Sequence, residues 1–161
     1  MNKVLTVNQA ISVSKKLKEQ RKTIILVGGC FDILHIGHIE FLERAKKSGD
    51  VLMLLLEHDL SVQKKKGIRR PIHTQAQRAR ILSKNQDVDY LVLLPYIKTD
   101  RDYRDLVKKI KPDIIAITKG DPQKKNKSQQ ATMIHAKLIE VMENKRGFSS
   151  TAIIKRILDT K

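Results

Sequence analysis

The chain has no tryptophan, and its three phenylalanines and three tyrosines make aromatics only 4% of its 161 residues. Its core must therefore be built mostly from Ile, Leu and Val, and a nucleic-acid module that works by stacking bases on aromatic rings has little to use. One cysteine, Cys30, excludes a disulfide framework and a cysteine-rich zinc module. The longest apolar run is Val51–Leu56, far short of the roughly 20 residues that cross a bilayer, and residues 1–17 hold no apolar stretch of the secretory-signal type. The expectation is a soluble, cytoplasmic protein. Acidic residues are scarce as well: 17 Asp and Glu stand against 33 Lys and Arg, a net charge of +16. Such an excess points to an anionic partner, whether a phosphorylated small molecule, nucleic acid or lipid, without choosing among them.

What is present is alternation. Residues 8–20 carry Ile11, Val13 and Leu17 at helical spacing behind Asn8, a possible N-cap. Residues 23–27 (TIILV) form an apolar run that ends at Gly28-Gly29, as a buried parallel strand entering a tight turn does. Residues 37–47 read as a helix ended by Gly49, Val51–Leu56 as a strand, 74–84 as a helix capped by Thr74, and 90–94 as a strand. Then follow a helix (101–110), a strand (113–117), a strand (138–142) and a helix (150–158). The basic stretch 58–72 and the polar stretch 123–129 show no period and read as loops. Strand–helix alternation along the whole chain predicts an α/β fold: a Rossmann-like three-layer α/β/α arrangement on a five-stranded, mainly parallel sheet. No linker or repeat interrupts it, so residues 1–161 read as one domain, with 1–22 a helical extension and 23–158 the core. Ligands of such sheets sit beyond the carboxyl ends of the strands.

The loop after the first predicted strand reads Gly28-Gly29-Cys30-Phe31-Asp32-Ile33-Leu34-His35-Ile36-Gly37-His38. His35 and His38, three apart at a helix start, project from one face. A helix start already offers free N–H groups and a positive dipole end, and Gly37 lets a ligand approach the backbone. This is a phosphate-handling pattern that matches neither a P-loop nor GxGxxG. Two histidines without a third ligand make a poor zinc site, so no protein-borne metal site is expected. Farther on, residues 64–70 (KKKGIRR) place five cations in seven positions. They read as a clamp on phosphates or as a solvated charge run. Lys119-Gly120-Asp121 follows a strand, and Ser149-Ser150-Thr151 opens the last helix, where hydroxyls cap or hold phosphate. His58 and His73 have no constellation and read as surface or loop residues.

The stretch GCFDILHIGH resembles the HxGH signature of the cytidylyltransferase-like nucleotidyltransferases. The likeness continues: GDVLMLLLEHDLSVQKKKGIRRPIHTQAQRARIL is similar to the second strand, basic loop and helix of heptose 1-phosphate adenylyltransferase domains. KPDIIAITKGD resembles their fourth strand and Lys-Gly-Asp turn, GFSSTAIIKRI their C-terminal Ser/Thr motif, and FLERAKKSGD is also similar to glycerol 3-phosphate cytidylyltransferases. The resemblance implies transfer of a nucleotidyl group from ATP or CTP to a sugar or polyol phosphate, with Mg²⁺ on the triphosphate and a homodimer as the usual assembly. It assigns His35, His38 and Lys66 to catalysis. It assigns Gly29, Cys30, Phe31, Gly37, Arg78, Lys119, Gly120, Asp121, Arg146, Ser150 and Thr151 to the nucleotide. Lys66, Arg70 and Arg78 fall on the family's basic positions, whereas the Arg that the family places three residues before its motif Gly is Asn144 here, with Lys145 and Arg146 shifted toward Gly147. A flavin or phosphopantetheine adenylyltransferase shares the motif and is the second enzyme reading. A nucleic-acid-binding module using the +16 surface is the non-enzymatic one, with RNA otherwise bound only non-specifically.

Overall fold

A computed structural model describes residues 3–143 and 147–160. Six parallel strands form one sheet: β1 (Val4–Leu5), β2 (Ile24–Gly29), β3 (Val51–Leu56), β4 (Tyr90–Leu93), β5 (Ile114–Lys119) and β6 (Lys137–Glu143). Seven helices connect them: α1 (Val7–Glu19), α2 (Ile36–Lys46), α3 (Asp59–Lys66), α4 (Gln75–Leu82), α5 (Asp100–Ile110), α6 (Lys124–Ile134) and α7 (Ser150–Leu158). Along β2 the apolar side chains divide between two cores. Ile24 and Leu26 meet α1, α5 and α6 on one face, and Ile25 and Val27 meet α2 and α4 on the other. Along β3, Met53 and Leu55 oppose Leu52, Leu54 and Leu56 in the same way. Burial on both faces is why these strands read as continuous apolar runs instead of alternating ones.

Strand order is β1-β4-β3-β2-β5-β6. The chain winds outward from β2 through β3 to β4, then returns through α5 to lay β5 on the far side of β2. That reversal makes β2/β5 the switch point where open α/β sheets bind ligands. Strand β2 pairs with β3 along its full length, from Ile24↔Val51 to Gly29↔Leu56, but with β5 only at Ile25↔Ile114 and Leu26↔Ile115. Beyond Leu26 the two strands part, and a crevice opens at their carboxyl ends.

The structure corrects the sequence reading in five places. The edge strand β1 makes a sixth strand, two residues long, paired Val4↔Leu91 and Leu5↔Val92. Half of the basic stretch 58–72 is helix α3. Only Ser61 and Val62 of it are buried, so no apolar stripe marks it. It forms because of its ends: His58 Nδ1 accepts the Leu60 N–H at 3.2 Å, and Lys64, Lys65 and Lys66 lie at the dipole's negative end. The polar stretch 123–129 is the start of α6, whose anchoring residues Ala131 and Ile134 come after it. The N-cap of α1 is Thr6, in a capping box with Gln9, and not Asn8. Gly49 also acts differently from the expectation: a Cβ there would lie 2.8 Å from Ile25 Cδ1, so it lets the chain pass close over β2.

Candidate active site

The crevice holds two adjoining clefts. One, of about 210 Å³, is lined by the β2 loop, the start of α2 and the start of α7, including Gly29, Cys30, Phe31, His35, Gly37, His38, Phe148 and Ser150. The other, of about 670 Å³, extends toward α5 and α6 and shares Gly28, Gly29, Cys30, Lys66, Thr118, Asp121 and Lys127 with the first.

His35 and His38 stack, with ring centroids 3.8 Å apart and an interplanar angle of 25°. Phe31 closes the far side of His38 at 4.9 Å. This stack is why residue 37 is glycine: a Cβ there would lie 3.1 Å from His35 Cε1 and 3.4 Å from the Phe148 carbonyl oxygen. The same closeness brings the start of α7 against the start of α2. His35 is the N-cap of α2 but makes no side-chain cap bond, so no imidazole occupies the first N–H groups of this helix, which suit an anion; the His38 N–H already bonds the His35 carbonyl at 2.9 Å. The Nδ1 atoms of both histidines are buried without a hydrogen-bond partner among the described residues, and such groups await an acceptor or donor from outside.

Burial, the neighbouring His35 ring and the Lys66 ammonium push His38 down to about 3, the Ile33 backbone pulling weakly the other way. Burial and Lys66 lower His35 as well. Both rings are therefore neutral at physiological pH, each with one N–H to donate. The sign for stability follows. Below the ordinary value of 6.5 the unfolded chain binds a proton that folded His38 refuses. Stability therefore falls by about 1.4 kcal/mol per pH unit until His38 itself protonates near 3. Between pH 7 and 5.5, wild type should lose about 1 kcal/mol more than His38→Gln in urea unfolding. Parallel curves for the two proteins would show that the imidazole is solvated.

The loop carrying the histidines is pinned from below. Asp32, 1% exposed, accepts Arg70 Nε at 2.5 Å and the N–H groups of Ile72 and His73 at 2.8 and 3.0 Å. His73 Nδ1 lies 3.1 Å from the Asp32 carbonyl oxygen. These bonds outweigh burial and hold the Asp32 carboxyl below the usual range. Arg70 reaches α7 through Nη1, 3.5 Å from Thr151 Oγ1, and its Nη2 is buried without a partner among the described residues.

The expected site residues fall into three groups. Gly29, Cys30, Phe31, His35, Gly37, His38, Lys66, Asp121 and Ser150 line the clefts. Cys30 is a thiol whose value burial and Glu57 raise, as suits a packing residue. Lys66 ends α3, exposed and without an ion pair among the described residues, whereas Lys65 is held by Glu57 at 2.7 Å. Asp121 takes the Lys127 ammonium at 2.8 Å and the Gln123 N–H at 2.7 Å, so it orders the start of α6. Ser150 Oγ bonds the Ile33 carbonyl at 3.4 Å, and the cap of α7 is Ser149, which accepts the Ala152 N–H at 3.1 Å.

A second group stands apart. Lys119 pairs with Glu143 at 2.8 Å, both well exposed, and neither it nor Gly120 lines a cleft. Thr151 is exposed and touches Arg70. Arg78 is fully buried and lines neither cleft. Its Nε donates to the His73 carbonyl, Nη1 to the Cys30 carbonyl, and Nη2 to the Glu57 carbonyl and Asp59 Oδ1. It ties three loops of the site together from inside. Arg146 forms the third group, because it lies outside the described residues. Thr118, Lys127, Tyr103, Phe148 and Ser149 line the clefts without having been singled out. Of these, only Ser149 carried a local signal, as part of its hydroxyl run.

Among the described residues no helix is long and apolar enough to cross a membrane. Residues 26–156 match the family model described as cytidylyltransferase-like. The bifunctional protein HldE of Nitratiruptor sp. is 39% identical over 145 residues, covering 90% of this chain and 30% of that protein. HldE of Aliarcobacter butzleri is 38% identical over 158 residues, covering 98% and 32%. The chain thus spans about a third of the length of these curated relatives. Among solved structures, a lipopolysaccharide core biosynthesis protein of Thermoplasma volcanium superposes with a TM-score of 0.64 at 26% identity, over 77% of this chain and 99% of that one. Pantoate-beta-alanine ligase of Francisella tularensis, complexed with an ATP analogue, superposes with 0.61 at 18% identity, over 98% and 79%, and shares the fold.

Proposed function

The chain belongs to the cytidylyltransferase-like family, and on that premise we propose that it joins a nucleotidyl group from ATP or CTP to a sugar or polyol phosphate and releases pyrophosphate. The observation that carries this reading is the stacked, neutral His35–His38 pair at the start of α2, set against the start of α7 in the β2/β5 crevice. A triphosphate fits between two helix N-termini, where N–H groups and dipoles favour its charge.

The acceptor's phosphate oxygen attacks the α-phosphorus. A new P–O bond forms there, the bond to the oxygen bridging the β-phosphorus breaks, and pyrophosphate leaves with that electron pair. An ionised phosphate monoester needs no general base, so the protein's work is alignment and stabilisation of oxyanions. His35 and His38 donate hydrogen bonds to the α-phosphate oxygens. Lys66, without a carboxylate partner among the described residues, neutralises charge across both clefts. Mg²⁺ arrives on the triphosphate as part of the substrate, held mainly by phosphate oxygens; among the described residues no cluster of three or more His, Cys, Asp or Glu offers it a cage. The reading also carries a homodimer acting in the cytoplasm.

The test is pyrophosphate formation with Mg²⁺ and ATP, CTP, GTP or UTP in turn, each with a sugar 1-phosphate or glycerol 3-phosphate. One triphosphate should support turnover, and only with an acceptor present. Pyrophosphate release that ignores the acceptor, or no release with any pair, overturns the reading. Equal binding of all four triphosphates, erased by moderate salt, would instead favour the nucleic-acid alternative.

A further inference from the structure

Arg70 belongs to the basic run KKKGIRR, yet it lines neither cleft, and its side chain is only 9% exposed. It stands behind the crevice, between the loop that carries the histidines and the start of α7. Its Nε donates to Asp32 Oδ2 at 2.5 Å. Asp32 Oδ1 is already taken by the N–H groups of Ile72 and His73, at 2.8 and 3.0 Å. The guanidinium therefore meets the carboxylate with one N–H and not with the two-pronged contact that arginine makes where the pair itself is the purpose. Both Nη groups are left over. Nη1 lies 3.5 Å from Thr151 Oγ1 in the first turn of α7, and Nη2 is buried with no partner among the described residues.

The start of α7 has little else to hold it. Of the helix only Ser150 is buried, and its Oγ meets the Ile33 carbonyl at a long 3.4 Å. A buried guanidinium N–H without a partner is costly, and an arrangement that keeps one gains from any movement that satisfies it. Here the spare donors sit at the turn whose N–H groups must face the phosphates. We infer that Arg70 is the positioning residue of the triphosphate site: anchored on Asp32, its Nη groups hold the first turn of α7 against the start of α2, so that both helix starts meet one triphosphate. Arg70 touches no phosphate in this role. The fork matters and the charge alone does not suffice, because an ammonium that pairs with Asp32 cannot also reach Thr151. The inference rests on the nucleotidyl-transfer reading and adds to it the residue that sets the distance between the two helices.

The experiment is calorimetric titration of Mg²⁺–ATP and Mg²⁺–CTP into wild type, Arg70→Lys, Thr151→Val and the double variant, which needs no acceptor. Arg70→Lys and Thr151→Val should each raise Kd for the bound triphosphate about five- to tenfold, the loss of one hydrogen bond from a charged donor. The double variant should bind no more weakly than Arg70→Lys, because both changes break one contact. Amide hydrogen exchange gives the second readout: the triphosphate should slow exchange in the first turn of α7 in wild type and leave it fast in Arg70→Lys. Thr151 is exposed, so Thr151→Val keeps the Asp32 pair and tests the contact in a folded protein even where Arg70→Lys does not fold. Wild-type affinity in Thr151→Val or in a folded Arg70→Lys overturns the inference and leaves the transferase reading standing. Losses that multiply in the double variant also overturn it, since the two side chains would then act separately. Wild type that binds neither triphosphate removes both readings.

Discussion

Replacing His38 with alanine lowers kcat for nucleotidyl transfer about 10²- to 10³-fold, the loss that follows removal of one preorganised donor from a developing oxyanion. The structure makes this effect one of rate and not of fold. His38 is half-buried between the Phe31 and His35 rings, and its buried Nδ1 has no partner among the described residues. Its ring bonds the scaffold only weakly, at the Ile33 backbone, and the charged form is disfavoured already. The variant should therefore unfold near the wild-type denaturant concentration at pH 7, and KM for the triphosphate should rise less than kcat falls. Rapid-quench measurement of product separates the chemical step from release. Full activity in a folded His38→Ala protein would remove this imidazole from the mechanism.

Arg78→Ala should act in the opposite way, with a stability loss of about 3–5 kcal/mol. Four N–H bonds from one fully buried guanidinium join His73, Cys30, Glu57 and Asp59. Truncation leaves three carbonyl groups and one carboxylate without that donor, around the space the side chain filled. Arg78→Lys cannot rescue it, because one ammonium cannot span a fork that serves three loops. The measurement is urea unfolding of wild type, Arg78→Ala and Arg78→Lys at pH 7. A variant as stable as wild type, with only KM for the triphosphate raised, would return Arg78 to the role its position in the family pattern implies.

These two residues mark how much of the site could be read in the sequence. The HxGH pattern is local: strand, glycine turn and helix start occupy consecutive positions, so their chemistry is visible without the fold. The outline of the sheet was visible too, because strands buried on both faces are continuous apolar runs. Burial of a charged residue is not local. Arg78 carries the same charge in any environment, and only the packing of α4 beneath the β2 loop shows that its donors face inward. Helix α3 hides for a related reason, since it is set by its cap and its dipole and buries only Ser61 and Val62. Tyr103, Gln130 and Lys127 belong to two helices that meet only because the chain crosses back over β2, and no spacing within either helix announces the cleft between them. Asp32 lay in the motif, but its partner Arg70 is 38 residues away.

The central claim is that the α-phosphate, and nothing else of the triphosphate, moves with the nucleoside to the acceptor. The most direct measurement follows a triphosphate labelled at the α-phosphorus through the transfer assay with a sugar 1-phosphate. The label is expected in a nucleotide sugar, with unlabelled pyrophosphate formed in equal amount. Label recovered in free mononucleotide, or γ-phosphate released as orthophosphate while the acceptor stays unmodified, would contradict the account.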